Sequence, residues 1–485
     1  MSNYNDNRPV VEERYVPPVA EAVVEQRSFW SRFWWLLPLL ALLIALPFIL
    51  RGCRHTEPVQ PVATLPATVE PTTPAVTAEP APAPAGQCVA GTTITLDSFV
   101  NWNPEVISAF EAHYGVTVNE IHYAQSTDLR DAVVLGLSQG GVGVGDVVTI
   151  EGDLFSEFMV HPDDWVTLPE IPGRWLGWAA DEGRVNGALK GYRTDIGPLA
   201  IIYNARILQE HGFGQYADPA AFSQWIGGSN ATWDTFLDAG RQFHAANPGI
   251  AWVDDIGNGP ARAALRQLPA AFEDPATGQP VDLEGNTAVH NIFMQMGQAM
   301  QDGLGAGVPF WDGAWGSAML GDEFVAMVAP PWQIGWPLAA SGPNAGDWRI
   351  AEVFPNGGGN WGGTFVGVTA HGTNQACAIA LADWLTNDDT ARAQWAAEGA
   401  FPSQAAVLDA GIAGSPDHAP FFGDQDYTET LGNLADNIPG ATYRGANFGW
   451  IQDDAIFQNL GTVQDGINTP AQAWDAAVAY FNSRR

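Results

Sequence analysis

The chain has 485 residues, of which 46% are hydrophobic and twenty are Trp, a composition typical of a globular protein with about two to four domains. With 54 acidic against 20 basic residues the formal net charge is −34, which argues against nucleic acid and anionic lipid as partners. Three cysteines, Cys53, Cys88 and Cys377, are too few for a disulfide scaffold, and the sequence leaves open whether Cys88 and Cys377 pair.

The N-terminal region has three parts that differ in composition. Residues 1–28 are polar and lack a periodic apolar face, so we predict a disordered tail. The uncharged run of 18 residues at 33–50 is long enough to span a bilayer, and with the aromatic residues around its start it predicts one transmembrane helix over 29–50. A cleaved signal peptide and lipidation of Cys53 are the alternatives. Residues 51–87 are rich in Pro, Ala and Thr, which predicts an extended linker.

The folded body, which we place at 88–485, begins with alternating strand and helix patterns. Hydrophobic periodicity predicts these elements at 92–96, 104–114, 116–121, 128–138 and 146–150. Strand, helix, strand, helix, strand is the order of an α/β unit with a parallel sheet. Glu151 and Asp153 follow the third strand, at the edge where open α/β sheets bind ligands.

The stretch Gly191–Asn204 is predicted to connect two sheets. Its first half is polar and leads into Gly197 and Pro198, which break regular structure, and its second half is an apolar run that favours a strand. A connection between two lobes is a hinge, and polar residues beside a hinge are a natural floor for a ligand cleft. Beyond it we predict helices at 232–243, 286–302, 375–395 and 469–482, and strands at 324–328, 350–354 and 364–369.

The sequence gives no convincing motif for catalysis or cofactor binding once the predicted secondary structure around each match is considered. Gly136–Gly140 matches the Gly-x-Ser-x-Gly string of serine hydrolases, but a helix precedes it where that motif requires a strand. The sequence has no Walker loop and no dinucleotide-binding glycine motif, and its nine His are scattered, which argues against a His-based metal site. Adjacent acids such as Asp163–Asp164 and Asp453–Asp454 are compatible with glycosidase chemistry, but in so acidic a chain such pairs are usually solvated surface. We predict no catalytic residue, no cofactor and no metal ion.

Tryptophan and glycine occur together at predicted strand ends, at Trp332, Trp336, Trp361 and Trp450. An aromatic ring can stack on the C–H face of a sugar, while carboxylates, Asn and Gln bind sugar hydroxyls. Glycine allows the backbone to approach a ligand closely. This combination predicts that two or three of the tryptophans lie in a carbohydrate site.

The order of these segments resembles the extracellular solute-binding proteins of ABC-type sugar importers, the broad group that includes maltose-binding protein. The resemblance covers about residues 92–482, and Pro402 follows the last of its segments. It rests on short segments in the expected order at 140–148, 192–204, 207–212, 232–236, 326–332, 361–364 and 380–385.

The resemblance implies a two-lobe α/β fold of the periplasmic-binding-protein type, with a hinge and an interlobe cleft. It implies that lobe one consists of about 92–196 and 337–370, and lobe two of about 197–336 and 371–485. Position by position, it also implies that the following residues bind the ligand: Trp102, Glu151, Asp153, Asp195, Trp332, Trp361 and Trp450.

These features together predict a membrane-tethered receptor that closes two lobes around a sugar or oligosaccharide and delivers it to the permease subunits of an ABC importer. We expect a single-pass protein of the cell membrane, with a monomeric body on the extracellular or periplasmic side. Two alternatives stay open. One is a surface-anchored enzyme that acts on glycans, and the other is a sugar sensor of the same fold without a permease.

Overall fold

The structure is a computed structural model. It describes residues 87–309, 313–333, 345–398, 401–411 and 418–485. The predicted tail at 1–28, the predicted transmembrane helix at 29–50, Cys53 and the predicted linker up to residue 86 lie outside the described residues, so these assignments stay predictions. Within the described residues, no helix combines the length and the apolar character that a membrane span needs.

The described residues form eleven strands and seventeen α-helices. The strands are β1 (Thr93–Ser98), β2 (Thr117–His122), β3 (Val147–Glu151), β4 (Arg184–Val185), β5 (Ala188–Leu189), β6 (Tyr192–Arg193), β7 (Ala200–Asn204), β8 (Ala251–Val253), β9 (Phe324–Ala329), β10 (Trp348–Ile350) and β11 (Thr364–Val368). The α-helices are α1 (Pro104–Tyr114), α2 (Ser126–Ser138), α3 (Phe155–Phe158), α4 (Gly177–Glu182), α5 (Ala205–Glu210), α6 (Pro219–Trp225), α7 (Trp233–Ala246), α8 (Arg262–Arg266), α9 (Thr287–Gln301), α10 (Trp315–Leu320), α11 (Gln375–Leu385), α12 (Asp388–Glu398), α13 (Ala405–Asp409), α14 (Tyr427–Asp436), α15 (Phe448–Trp450), α16 (Gln458–Gln464) and α17 (Pro470–Arg484). Two π-helices, Gly257–Ala261 and Ile451–Phe457, lead directly into α8 and α16.

The first sheet has five strands in the spatial order β2-β1-β3-β11-β6. Strands β2 and β3 run parallel to β1, and α1 and α2 connect them along the chain. Strand β11 is antiparallel to both β3 and β6. The predicted alternation of strands and helices, with its parallel sheet, is therefore confirmed.

The second sheet has four strands in the spatial order β10-β7-β9-β8. Strand β7 pairs antiparallel with β9 and β10, while β8 and β9 are parallel. Because β6 belongs to the first sheet and β7 to the second, the chain crosses between the sheets from Arg193 to Ala200. The predicted connection at Gly191–Asn204 is confirmed. We use first lobe and second lobe for the parts of the chain that build and cover these two sheets.

Two segments lie in a different lobe from the one that the resemblance implies. Trp348 of β10 pairs with Asn204 of β7, so this strand belongs to the second sheet and not to lobe one. The chain returns to the first sheet only between Ile350 and Thr364. Helix α11, assigned by resemblance to lobe two, packs Leu381 into the apolar core of the first sheet, because its apolar face covers β1 and β11. The other lobe boundaries stay predictions.

The predicted helix at 375–395 is two helices, α11 and α12. The hydroxyl of Thr386 donates to the carbonyl of Ala382 at 2.9 Å, and the side-chain oxygen of Asn387 accepts from the backbone N–H of Thr390 at 2.8 Å. Such local bonds from Thr and Asn compete with helix continuation and cap the helix that follows. The break therefore has a side-chain cause that apolar periodicity does not reveal.

A disulfide joins Cys88, close to the start of the described residues, to Cys377 in α11. This answers the question of pairing that the sequence leaves open. Because α11 packs on the first sheet, the disulfide holds the beginning of the folded body against the first lobe.

Candidate functional site

A cavity of about 720 Å³ lies between the two lobes. The residues that line it include Phe99, Ser126, Thr127, Glu151, Asp153, Asp195, Asn258, Arg262, Trp332, Trp361, Gly362, Gly363, Thr364, Phe448, Gly449, Gln452 and Asp453. Five of the seven side chains predicted for the ligand site are among them, namely Glu151, Asp153, Asp195, Trp332 and Trp361. Glu151 and Asp153 lie at the end of β3, whereas Asp195 follows β6, Trp332 follows β9 and Trp361 precedes β11. The fold thus brings together residues that are far apart in the sequence.

The glycine-rich segment before β11 brings the backbone close to the cavity. Gly363 has a φ of +88°, and a Cβ atom there would lie 2.4 Å from the carbonyl oxygen of Asp195. Gly362 has a φ of +75°, and its Cβ would lie 3.2 Å from Nε1 of Trp332. Glycine is therefore required at Gly363 both by the left-handed backbone and by the close approach of the chain that carries Asp195.

Two tryptophans meet at this edge, and they have different environments. Their rings are edge to face, with centroids 5.4 Å apart, and Nε1 of Trp332 donates to the carbonyl of Trp361 at 3.1 Å. Trp361 is buried, and the guanidinium groups of Arg262 and Arg266 lie 4.9 and 5.6 Å from its ring centre. Trp332 is half-buried. It is therefore the better placed of the two to offer its ring to a ligand.

The two carboxyl groups Glu151 and Asp195 have raised pKa values. Burial, with the nearby charge of Asp153, raises the pKa of Glu151 to about 8, so it is mostly protonated at neutral pH. Burial also raises the pKa of Asp195, although hydrogen bonds from Thr194 Oγ1 at 2.6 Å and from the Thr364 backbone N–H at 2.8 Å oppose the shift. Glu151 can therefore both donate and accept hydrogen bonds with sugar hydroxyls, and Asp195 offers carboxyl oxygens as acceptors.

Asp153 is held by two arginines of the second lobe. Its Oδ1 accepts from Arg266 at 2.6 Å and from Arg444 at 2.9 Å, and its Oδ2 accepts a second, short bond from Arg266. Burial alone would raise the pKa of Asp153, but the charges of Arg266 and Arg444 outweigh it and hold the pKa below its usual range. Asp153 is therefore an ionised group whose two oxygens already have partners.

Two π-helices form the opposite wall of the cavity, and sequence reasoning did not find them. The first carries Asn258 and leads into Arg262, and the second carries Gln452 and Asp453. Arg262 lies 4.6 Å from the ring centre of Phe457, and its Nη2 contacts Asn258 at 3.2 Å and Asp453 at 3.4 Å. Burial, together with the charge of Arg266, lowers the pKa of Arg262 to about 10. π-Helical segments are frequent at functional sites, but they have no sequence period by which to recognise them.

Comparison with known families decides what kind of protein has this cleft. The profile of the family described as bacterial extracellular solute-binding protein matches residues 105–421, or 317 of 485 residues. The chain belongs to the bacterial extracellular solute-binding proteins. The predicted family is confirmed, and so is the two-lobe α/β fold.

Solved structures of other solute-binding proteins share the fold. An extracellular solute-binding protein of family 1 is 27% identical, with a TM-score of 0.73, over 80% of this chain and 98% of that one. The galacto-N-biose/lacto-N-biose I-binding protein of Bifidobacterium longum is 16% identical, with a TM-score of 0.62, over 81% and 96% of the two chains. The sugar-binding protein MalE of Xanthomonas citri is 14% identical, with a TM-score of 0.63, over 80% and 96%. A search of curated proteins found no match.

In this solute-binding protein, two of the predicted ligand residues do not line the cavity of about 720 Å³. Trp102 is buried, donates from Nε1 to Ser98 Oγ at 3.0 Å, and borders a separate cavity of about 70 Å³. Trp450 stacks on Phe481 of α17 with ring centroids 5.8 Å apart, and the guanidinium of Arg484 lies 4.9 Å from its ring centre. The helical turn around Trp450 instead directs its neighbours Phe448 and Gly449 to the cavity, so the register implied by the resemblance is shifted there.

Elsewhere in the described residues, the cluster of possible metal-ligating groups is already neutralised by an arginine. Glu210, His211 and Asp322 have oxygen or nitrogen atoms within 4.8 Å of one another. Arg206 contacts Glu210 at 2.7 Å and Asp322 at 2.8 Å. These contacts are those of a surface ion-pair network, so we assign no metal site to this cluster.

Proposed function

We propose that this protein binds a carbohydrate in the 720 Å³ interlobe cavity. The observation that carries the proposal is the half-buried ring of Trp332 beside Glu151, Asp195 and the open glycine backbone. This arrangement offers an apolar face and hydrogen-bonding groups together, as a sugar ring requires. The relatives in complex with lacto-N-biose and the sugar-binding MalE are similar in fold and support this ligand class.

The pairing of charges around the cavity favours a sugar without net charge. Asp153 is paired with Arg266 and Arg444, and Arg262 is paired with Asp453. A charged ligand would have to break one of these pairs or be buried without a counter-charge, which is costly. We therefore propose a neutral saccharide as the ligand.

We further propose that the protein works at a membrane, as the monomeric receptor of an ABC importer, with its body on the extracellular or periplasmic side. The predicted helix at 29–50 and the predicted linker at 51–87 would supply the tether. The disulfide between Cys88 and Cys377 supports an oxidising compartment outside the cytoplasm.

Ligand screening of the full chain tests the proposed ligand class. Neutral monosaccharides and oligosaccharides are added singly, and the melting temperature and the heat of binding are measured. At least one of them should raise the melting temperature, because a ligand that binds only the folded state stabilises it. If none does so, the ligand class is wrong. Release of reducing sugar from an added oligosaccharide would instead favour the enzyme alternative.

The role of Trp332 is tested with the ligand that the screen identifies. Trp332→Ala should weaken binding by about 1–3 kcal/mol, by analogy with other losses of aromatic stacking. Trp450→Ala is the matched control, since Trp450 packs on α17 and should leave the Kd unchanged. Unchanged affinity in the Trp332 variant, or an equal loss in the control, would contradict this site.

A further inference from the structure

A buried group of charged residues connects the two lobes, and we name it the interlobe clamp. The first lobe contributes Asp153, Glu182 and Arg193, and the second lobe contributes Arg266 and Arg444. The exposed fraction of the side chain is 19% for Asp153, 7% for Glu182, 6% for Arg444 and 0% for Arg193 and Arg266. Charges that are removed from water to this extent are retained only when their partners are close.

The contacts of the clamp cross from lobe to lobe. Besides the bonds that Asp153 accepts from Arg266 and Arg444, Glu182 accepts from Arg193 at 3.1 Å and from the hydroxyl of Thr442 at 3.1 Å. Arg444 also lies 3.8 Å from Glu182. Asp153 and Glu182 therefore each have at least one partner in the second lobe, so side-chain contacts join the two lobes at two points.

The clamp lies between two cavities of the cleft. Asp153 lines the cavity of about 720 Å³, whereas Glu182 and Arg444 line another interlobe cavity of about 810 Å³. Because Asp153 and Arg444 are 2.9 Å apart, their contact divides one cavity from the other. The clamp also reaches the candidate ligand site directly, since the backbone N–H of Asp153 donates to the carboxyl of Glu151 at 3.2 Å.

We propose that Arg266 and Arg444 are positioning residues, which set the closed arrangement of the lobes by binding Asp153 and thereby fix Glu151 against the ligand cavity. Closure is then favoured in part by charges of the chain itself, and the ligand adds to an arrangement that is already preferred. Removal of one partner leaves the remaining buried charges with fewer counter-charges in the closed form, so the equilibrium moves towards an open form in which water solvates them. The role in capture rests on the proposed function, but the clamp does not depend on any particular ligand.

The test measures the distance between the lobes in the absence of ligand. The full chain, with Cys53→Ser, receives spin labels at Leu135→Cys and Ile467→Cys, which are 60% and 70% exposed in the first and second lobes. Pulsed electron resonance then gives the distribution of distances between the labels. The labelled protein without a substitution in the clamp, which we call the parent, should give one dominant distance. Asp153→Asn and Arg444→Met should each add a longer distance, with a loss of about tenfold or more in the ratio of closed to open forms.

Two further variants separate positioning from general destabilisation. Glu170→Gln removes an exposed ion pair with Arg184 inside the first lobe and should leave the distances unchanged. Arg444→Lys keeps a cation near Asp153 and should partly restore the short distance, whereas a fold that is merely damaged would not be rescued in this way. A melting transition of each variant shows that it is folded. Identical distance distributions in the parent, Asp153→Asn and Arg444→Met would overturn the inference.

This measurement is independent of the ligand class. If the sugar screen fails and the distances change as expected, the clamp stands and only the proposed ligand is wrong. If a sugar binds and the distances do not change, the ligand site stands and the clamp is refuted.

Discussion

Two carboxyl groups at the end of β3 have opposite pKa shifts although they are only two residues apart. Burial and the charge of Asp153 raise the pKa of Glu151 to about 8, whereas Arg266 and Arg444 hold the pKa of Asp153 below its usual range against the effect of burial. The difference follows from the arginines, both of which bind Asp153. Glu151 is therefore the one that can donate a proton in a hydrogen bond to a ligand at neutral pH.

Replacement of Glu151 tests this assignment through the pH dependence of stability. Between pH 4.5, the ordinary pKa, and about 8, the folded protein retains a proton that the unfolded chain releases, so the free energy of unfolding falls as the pH rises. In Glu151→Gln the substituted side chain cannot ionise. The free energy of unfolding of this variant should therefore fall less over the same pH range. At pH 9 we expect the variant to exceed the wild type by about 1 kcal/mol or more in urea unfolding.

Glu151→Gln should leave some pH dependence in place. Burial raises the pKa of Asp254 to about 8 as well, against the hydrogen bond from Trp315, and this group is unchanged in the variant. The measurement therefore compares slopes between pH 5 and 9 in both proteins. Equal slopes would show that Glu151 is ionised in the fold at neutral pH.

At the same scale, the sequence identified the cavity acids but not their partners. Glu151 and Asp153 could be placed because they follow a recognisable strand. Arg266 and Arg444 could not, since they lie 113 and 291 residues from Asp153 and no local pattern marks them. Trp450 shows a related failure, because a shift of one residue in a helical turn is enough to direct a side chain away from a cavity.

At the scale of elements, two crossing segments lie side by side between the sheets. The backbone N–H of Gly197 donates to the side chain of Asn360 at 2.8 Å, and its carbonyl accepts from the N–H of Trp361 at 2.8 Å. Leu199 continues this pairing, since its N–H donates to the carbonyl of Gly359 at 2.8 Å. The two connections are thus hydrogen-bonded to each other, so their backbones must approach closely.

Gly197→Ala tests the close approach of the two connections. A Cβ atom at Gly197 would lie 1.9 Å from the carbonyl oxygen of Trp361, so the two crossings would have to separate. We expect a loss of about 2–4 kcal/mol in the free energy of unfolding, measured in urea. Gly249→Ala is the matched control, because no atom lies within 4 Å of its Cβ position. A variant as stable as the control would show that the crossings are not held together here.

The first crossing could be predicted because Gly and Pro precede an apolar run within one short stretch of sequence. The second could not be placed correctly, since β10 has only three residues and its sheet is decided by pairing with β7. Short strands have little pattern of their own, so tertiary pairing determines where they belong. For α11, apolar periodicity predicts a helix with a buried face, but only the packing of Leu381 shows which sheet that face covers.

At the scale of the whole molecule, cations are scarce and several of them are concentrated in the cleft. The chain has 20 basic residues against 54 acidic ones, yet Arg193, Arg262, Arg266 and Arg444 all lie around the interlobe site. The acidic excess keeps the surface negative and does not determine the fold. The cleft differs from the acidic surface, because each buried acid there has an arginine or a hydrogen-bond donor beside it. The composition predicts a negatively charged surface. The pairing of buried acids with arginines in the cleft is seen only in the folded structure.

The disulfide between Cys88 and Cys377 acts on the molecule as a whole, because it joins residues 289 positions apart. A bond across so long a segment restricts the unfolded chain strongly, and it also holds the start of the folded body against the first lobe. Replacement of both residues by Ser should lower the free energy of unfolding by about 2–5 kcal/mol in the full chain. Reductant should produce the same loss in the wild type and none in the double variant. If reductant lowered the free energy of unfolding of both proteins equally, its effect would not come from the disulfide. The stability of the folded body would then not depend on this bond.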